Sequence, residues 1–142
     1  PWVADFIYTR CAGPCPVLSA GMARLQRDLP SAIRLVSFTV DPDTDSPSEL
    51  SAYARRFGAE PGRWLFARLE RRPLYDLMYA GFRLPGAADP RGRPGFGVTH
   101  SGKFVLIDSG GIIRGYYDGA DEAALRDLVR HARRLEAEKS HG

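Results

Sequence analysis

A short apolar segment near the start of the chain runs directly into the only two cysteines. Val3 to Tyr8 consists mostly of β-branched and aromatic residues and is too short for a helix, so it predicts a buried strand. From Cys15 to about Leu29, apolar residues recur at helical spacing until Pro30. The chain therefore opens with a strand, a loop of small residues that holds Cys11 and Cys15, and a helix.

A second strand and helix follow in the same order. Ile33 to Val40 predicts a strand, and the aspartates and prolines of residues 41–47 favour a loop and a helix start. Ser46 or Asp45 is placed to cap this helix, and Gly58 is placed to end it. The chain thus contains two successive βα units.

The following segments predict a shorter strand, a helix and a hairpin. Arg63 to Leu69 fits a short strand and Pro73 to Phe82 a helix, whereas Leu84 to Gly97 is too rich in Pro and Gly to be regular. Lys103 to Asp108 and Ile112 to Tyr117 are two strands joined by Ser-Gly-Gly, a strong hairpin signal.

A final helix opens at Asp121, and we expect it to fray into a charged tail over about residues 135–142. This order of elements predicts an α/β fold with a mixed sheet flanked by helices on both faces. A length of 142 residues fits one domain, 1–142. Because a natural chain rarely begins with a core strand, we expect further residues upstream.

The positive charge is almost entirely arginine. Of 20 basic residues only Lys103 and Lys139 are lysines, and the 17 acidic residues are interspersed among the arginines. This pattern is typical of a mixed, solvated surface, whereas nucleic-acid binding needs a face of one sign. No stretch approaches the ~20 consecutive apolar residues of a membrane helix, and no signal peptide is present. We expect no nucleic-acid partner, and membrane contact only through an upstream anchor.

Cys11 and Cys15 lie four residues apart where the first strand hands over to the first helix. If the helix begins near Cys11, this spacing turns both thiols to one side, and the free amide groups and dipole of the helix stabilise thiolates. Pro14 and Pro16 fit a first helical turn. A structural disulfide would close too short a loop to stabilise the fold much. We therefore favour chemistry over two core cysteines or a structural disulfide.

A third ligand would separate the two remaining kinds of chemistry, because soft thiolates both bind Cu(I) and attack disulfides. His131 stands among arginines on the last helix, where we expect a solvated surface residue, and His141 is in the tail. His100 follows a glycine-rich loop at the mouth of a strand. The sequence alone leaves His100 as either a functional residue or a loop histidine bonded to nearby backbone.

Three segments together resemble the Sco/SenC family of copper-binding cytochrome c oxidase assembly proteins. They are the strand and cysteine loop of residues 5–16 with CxxxCP, residues 38–47 with DPxxDxP, and His100-Ser101 before the strand of residues 104–108. The resemblance covers nearly the whole chain in the right order. It implies a thioredoxin-like fold, and further strands and an anchor upstream of Pro1.

The resemblance also implies a copper site. The ligands of Cu(I) or Cu(II) would be Cys11, Cys15 and His100, and Asp41 and Asp45 would support them, unless Asp45 simply caps a helix. The implied role is a monomeric metallochaperone in the periplasm or at the outer face of the bacterial cytoplasmic membrane. Its partner would be the copper-site subunit of cytochrome c oxidase or another copper chaperone.

The main alternative is an exported thiol-disulfide oxidoreductase that acts through Cys11 and Cys15, with His100 incidental. Ordinary thioredoxin-like reductases carry CxxC and a proline before a later strand, whereas this chain has CxxxC and His-Ser-Gly before Lys103. A thiol peroxidase is a weaker alternative, because the sequence shows no residues dedicated to it.

Overall fold

The computed structural model describes residues 1–9, 15–82 and 102–141. Its five strands are β1 (Trp2–Ile7), β2 (Arg34–Thr39), β3 (Trp64–Ala67), β4 (Lys103–Ile107) and β5 (Ile113–Asp118). They form one sheet in the order β3-β2-β1-β4-β5. β1, β2 and β3 are parallel, while β4 runs antiparallel to β1 and β5 antiparallel to β4. The sheet is therefore mixed, with β1 at its centre.

The helices are α1 (Cys15–Asp28), α2 (Pro47–Arg56), α3 (Arg71–Tyr75) and α4 (Glu122–His141). α3 continues as a π-helical segment over Asp76–Gly81, in which the Phe82 amide donates to the Leu77 carbonyl at 2.7 Å. Within the described ranges, no helix combines the length and the apolar character needed to cross a bilayer.

The alternation of side chains along β1 divides the core into two layers. Val3 packs in a cluster with apolar residues of α1 and α4, and Ile7 packs with Leu50 and Tyr53 of α2. Phe6, on the opposite face, packs with residues of α3 and its π-helical continuation. Helices thus cover both faces of the sheet, as the order of elements predicts.

The predicted strands and the first two helices are confirmed. Their ends differ from the predicted ends by no more than two residues. The helix predicted over Pro73 to Phe82 instead starts at Arg71 and widens into the π-helical segment. The tail expected from about residue 135 is helical to His141, because Leu135 is buried against the core. The loop predicted over Leu84 to Gly97 lies outside the described residues.

Gly119, just after β5, lies where Leu18 of α1 and Phe104 of the sheet pack tightly together. A Cβ atom there would stand 2.5 Å from Phe104 Cε1 and 2.7 Å from Leu18 Cδ2. Phe104 is fully buried, so its ring has little room to move. The absence of a side chain at Gly119 therefore sets how closely α1 packs on the sheet.

We expect Gly119→Ala to lower the free energy of unfolding by about 1–3 kcal/mol, because the added methyl overpacks the core. Gly110→Ala in the β4–β5 turn is the matched control, since its Cβ would meet only Asp108 Oδ1, at 3.3 Å. The control should change stability by less than about 0.5 kcal/mol. Urea denaturation measures both, and equal stability of the two variants would contradict the close packing at Gly119.

Candidate metal centre

The sheet topology places the segments that flank the cysteines and His100 at one edge. β1 ends at Ile7 and leads through Thr9 towards Cys11, and Cys15 is the first residue of α1. Because β4 is antiparallel to β1, with Ala4 opposite Val105, the start of β4 lies beside the end of β1. This common edge, formed by the ends of β1 and β2 and the start of β4, is called the cysteine edge below.

Two of the three predicted ligands, Cys11 and His100, lie outside the described residues. Cys15 is placed as predicted, at the start of a helix that follows the central strand. Among the side chains that the structure describes, no group of three His, Cys, Asp or Glu is arranged to hold a metal. The described part of the chain thus supplies the framework of the predicted site.

The start of α1 is suited to a thiolate. Its first turn carries no acidic residue, so no carboxylate of its own neutralises the positive end of the helix dipole. Val17 in the same turn is 56% exposed. One turn after Cys15, Ser19 is buried and its hydroxyl is hydrogen-bonded to the Tyr53 hydroxyl at 2.7 Å, which ties α1 to α2.

Asp45 fastens the end of β1 to the acidic loop after β2. Its side chain is buried, and Oδ2 accepts hydrogen bonds from the Thr9 amide at 3.0 Å and from Thr39 Oγ1 at 2.7 Å. Oδ1 accepts from Thr9 Oγ1 at 2.6 Å. Three donors converge on this carboxylate, enough to compensate for its burial. Asp45 thereby holds the backbone two residues before Cys11.

Two other residues of the acidic loop, Asp41 and Ser46, have distinct structural roles. Asp41 is half-buried, its amide donates to Thr39 Oγ1 at 3.1 Å, and its carbonyl accepts from the Asp45 amide at 2.9 Å. Ser46 is the cap of α2, because its hydroxyl accepts from the Glu49 amide at 3.2 Å. Of the two predicted capping residues, it is therefore Ser46 that caps the helix.

A second buried carboxylate, Asp5, lies in β1 itself. Oδ1 accepts from the Ser37 hydroxyl at 2.5 Å, and Ser37 Oγ accepts in turn from Trp64 Nε1 at 3.0 Å. Oδ2 is buried without a partner in the described structure. Burial raises the pKa of Asp5 to about 7, although the Ser37 hydrogen bond lowers it in part. The sequence signal for this group is a lone acidic residue within an apolar strand, which sequence reasoning did not use.

His131 differs from its prediction as a solvated surface residue. It is half-buried, and its Nδ1 is hydrogen-bonded to the Tyr117 hydroxyl at 2.6 Å across α4 and β5. Burial, and next the charges of Arg134 and Arg114, lower the pKa of His131. Its packing against Tyr117 explains the difference, because the periodicity of α4 does not reveal contacts with β5.

Comparisons with known proteins agree with this architecture. The family model described as SCO1/SenC matches residues 1–133. The SCO1 protein homolog of Bacillus subtilis (strain 168) is 28% identical over 132 residues, which are 90% of this chain and 67% of that protein.

Solved structures show the same fold. A SCO1/SenC family lipoprotein from Bacillus anthracis str. Ames is 30% identical with a TM-score of 0.78, over 95% of this chain and 80% of that one. ScoI of Bradyrhizobium japonicum, solved with copper bound, is similar in fold, with 19% identity and a TM-score of 0.67 over 91% of this chain and 83% of that one. The mixed sheet with helices on both faces is thus the thioredoxin-like fold of these structures. Since the family model spans nearly the whole sequence, this protein belongs to the SCO1/SenC family.

Proposed function

We propose that this protein binds copper through Cys11, Cys15 and His100 and passes it to the dinuclear copper site of cytochrome c oxidase. The observation that carries this proposal is the cysteine edge. The described residues nearest to Cys11 and His100, Thr9 and Gly102, adjoin strands that meet side by side at that edge. Family membership supports the metal, because Sco proteins have been solved with copper bound.

The chemistry of the three side chains suits both oxidation states of copper. Two thiolates are soft ligands that favour Cu(I), and an added imidazole makes Cu(II) tolerable. The N-terminus of α1 stabilises the deprotonated thiol of Cys15, which is the form that binds metal. Binding therefore requires reduced cysteines and releases protons as thiols become ligands.

Asp45 serves this site as a positioning residue. Its bonds to the amide and hydroxyl of Thr9 fix the point where the chain leaves β1 for the cysteine loop. Its bond to Thr39 fixes the same point against the end of β2. A carboxylate that locks the backbone beside a metal ligand acts on affinity by limiting the conformations of that ligand.

The recipient of the copper is the copper-site subunit of the oxidase or another copper chaperone. A related Sco protein, BsSco, is described as a member of a family of cytochrome c oxidase assembly proteins. The place of action is the outer face of the bacterial cytoplasmic membrane, which is supported by the similar Bacillus anthracis protein being a lipoprotein.

With one equivalent of Cu(II), we expect sulfur-to-copper charge-transfer absorption and a Cu(II) EPR signal that both depend on His100. His100→Ala should lower Cu(II) affinity by at least about tenfold, because loss of a ligand costs no less than loss of a group that merely orients one. His131→Ala is the matched control, since His131 is bonded to Tyr117. The control should keep the wild-type spectrum.

Identical spectra for the two histidine variants would show that the ligand assignment is wrong. The same pair of variants also tests the oxidoreductase alternative. If His100→Ala loses Cu(II) binding but exchanges disulfides at the wild-type rate, copper binding is the function that uses all three residues. If His100→Ala binds Cu(II) normally, thiol-disulfide exchange by Cys11 and Cys15 becomes the better account.

Asp45→Asn should weaken copper binding by about 10- to 100-fold and lower the free energy of unfolding by about 1–3 kcal/mol. The amide nitrogen of Asn cannot accept the hydrogen bonds that Thr9 and Thr39 donate. Asp43→Asn is the control in the same loop, because Asp43 is exposed and pairs only at the surface with Arg71. Copper competition titrations and thermal unfolding of both variants measure the effect; unchanged copper affinity in Asp45→Asn would remove the positioning role.

A further inference from the structure

A cavity of about 640 Å³ lies between α4 and β5, the last strand of the sheet. The residues that line it are three arginines, a histidine, a tyrosine and an aspartate: Arg130, Arg133, Arg134, His131, Tyr117 and Asp127. Three guanidinium groups and one carboxylate give this lining a net charge of +2 when the histidine is neutral. The charge of the cavity therefore suits an anion.

Four of the lining residues form one stripe along α4. Asp127, Arg130, His131 and Arg134 stand at positions i, i+3, i+4 and i+7, which share a face of a helix. Tyr117 of β5 lies against this stripe, because its hydroxyl is hydrogen-bonded to His131 Nδ1 at 2.6 Å. The helix and the strand thus supply the two walls of the cavity.

Arg133 stands beside this stripe and is held in place by α1. Its Nη2 donates to the carbonyl of Asp28, the last residue of α1, at 3.0 Å. The carbonyls of the last helical turn have no partner within the helix, so this bond also satisfies one of them. A guanidinium group that is already ordered loses less conformational entropy when a ligand binds.

Only one of the three arginines is paired with a carboxylate among the residues that the structure describes. Arg130 forms an ion pair with Asp127, three positions before it on α4. The described ion pairs include neither Arg133 nor Arg134, and both side chains are exposed. These two guanidinium groups therefore keep their charge available for a ligand.

His131 adds an uncharged hydrogen-bond donor to the cavity. Burial, and next the charges of Arg134 and Arg114, lower its pKa, whereas the charge of Glu138 opposes them, so the ring is neutral at pH 7. Burial raises the pKa of Tyr117, so its hydroxyl keeps its proton and donates it to Nδ1. The one N–H of the neutral ring is then at Nε2, which makes no hydrogen bond to a described residue.

A phosphate group matches these donors better than a carboxylate does. Guanidinium groups bind the oxygens of either anion through two parallel hydrogen bonds. Successive residues of a helix point about 100° apart, so Arg133 and Arg134 approach a shared ligand from different directions. The tetrahedral oxygens of phosphate can accept from both guanidinium groups and from His131, whereas the two oxygens of a carboxylate lie in one plane.

We propose that this cavity is a phosphate-binding site in which Arg133 and Arg134 bind the phosphate oxygens and His131 donates to them from Nε2. The phosphate group belongs to a soluble phosphate compound or to the headgroup of an anionic phospholipid. Arg133 is bonded to the last residue of α1, which lies about 20 Å along the helix from its start at Cys15. The inference therefore does not depend on copper binding.

The first test is calorimetric titration of the protein with sodium phosphate at pH 7, with sodium chloride keeping the ionic strength constant. We expect saturable binding that Arg134→Gln weakens by about tenfold or more, because hydrogen bonds to a charged group are lost. Arg55→Gln is the matched control, since it removes the same charge from an exposed position in the last turn of α2. Equal weakening in the two variants would reduce the effect to net charge and overturn the site.

His131→Phe is the second variant, and it keeps an aromatic ring packed against Tyr117. Loss of the Nε2 donor should weaken binding of the phosphate group by about two- to tenfold, with no change of charge at pH 7. A purely structural role for His131 would lower the stability of this variant and leave its affinity for the phosphate group unchanged. That result would count against the proposal.

Vesicles of phosphatidylglycerol, with phosphatidylcholine vesicles as the control, separate the two sources of the phosphate group. Co-sedimentation with phosphatidylglycerol that Arg134→Gln loses and Arg55→Gln keeps would support a lipid headgroup as the ligand. Binding of sodium phosphate without co-sedimentation would support a soluble phosphate compound. Binding of neither probe, or tighter binding of sodium succinate than of sodium phosphate, would overturn the proposal.

Discussion

The pairing of β1 with strands on both sides is the constraint on which the site depends. β1 is parallel to β2 and antiparallel to β4, so the two chain segments that leave β1 and β2 and the segment that enters β4 meet at one edge. The hydrogen-bond ladders fix this arrangement, whereas the core fixes which faces are covered. A register error of one residue in β1 would turn Val3, Asp5 and Ile7 to the opposite layer.

The two buried carboxylates at this part of the sheet, Asp45 and Asp5, differ in the number of hydrogen bonds that they accept. Asp45 accepts three hydrogen bonds from Thr9 and Thr39 and thereby links the end of β1 to the end of β2. Asp5 receives one, and its pKa rises to about 7 because burial outweighs that bond. A raised pKa means that the folded state holds the proton more tightly than the unfolded chain, so Asp5 lowers stability as the pH climbs from about 4 to 7.

Much of the fold was predictable from the sequence because its signals are local. Alternating or periodic apolar residues defined the strands and the first two helices, and Ser-Gly-Gly defined the hairpin. The helical end of α4 was missed because the packing of Leu135 against the core decides it. The π-helical segment after Tyr75 was missed as well. The sequence placed Cys15 at the start of a helix and singled out Asp45, but it did not predict the contact of Asp45 with Thr9, since the two are 36 residues apart and only the folded chain brings them together.

In the proposed site, one copper ion is held jointly by two sulfurs and one imidazole at the cysteine edge. Copper K-edge X-ray absorption of the reduced protein loaded with one equivalent of copper counts these ligands directly. We expect a shell of two sulfur atoms from Cys11 and Cys15 and one nitrogen with the multiple-scattering pattern of an imidazole. A shell of nitrogen and oxygen alone, or one that keeps its imidazole in His100→Ala, would contradict it.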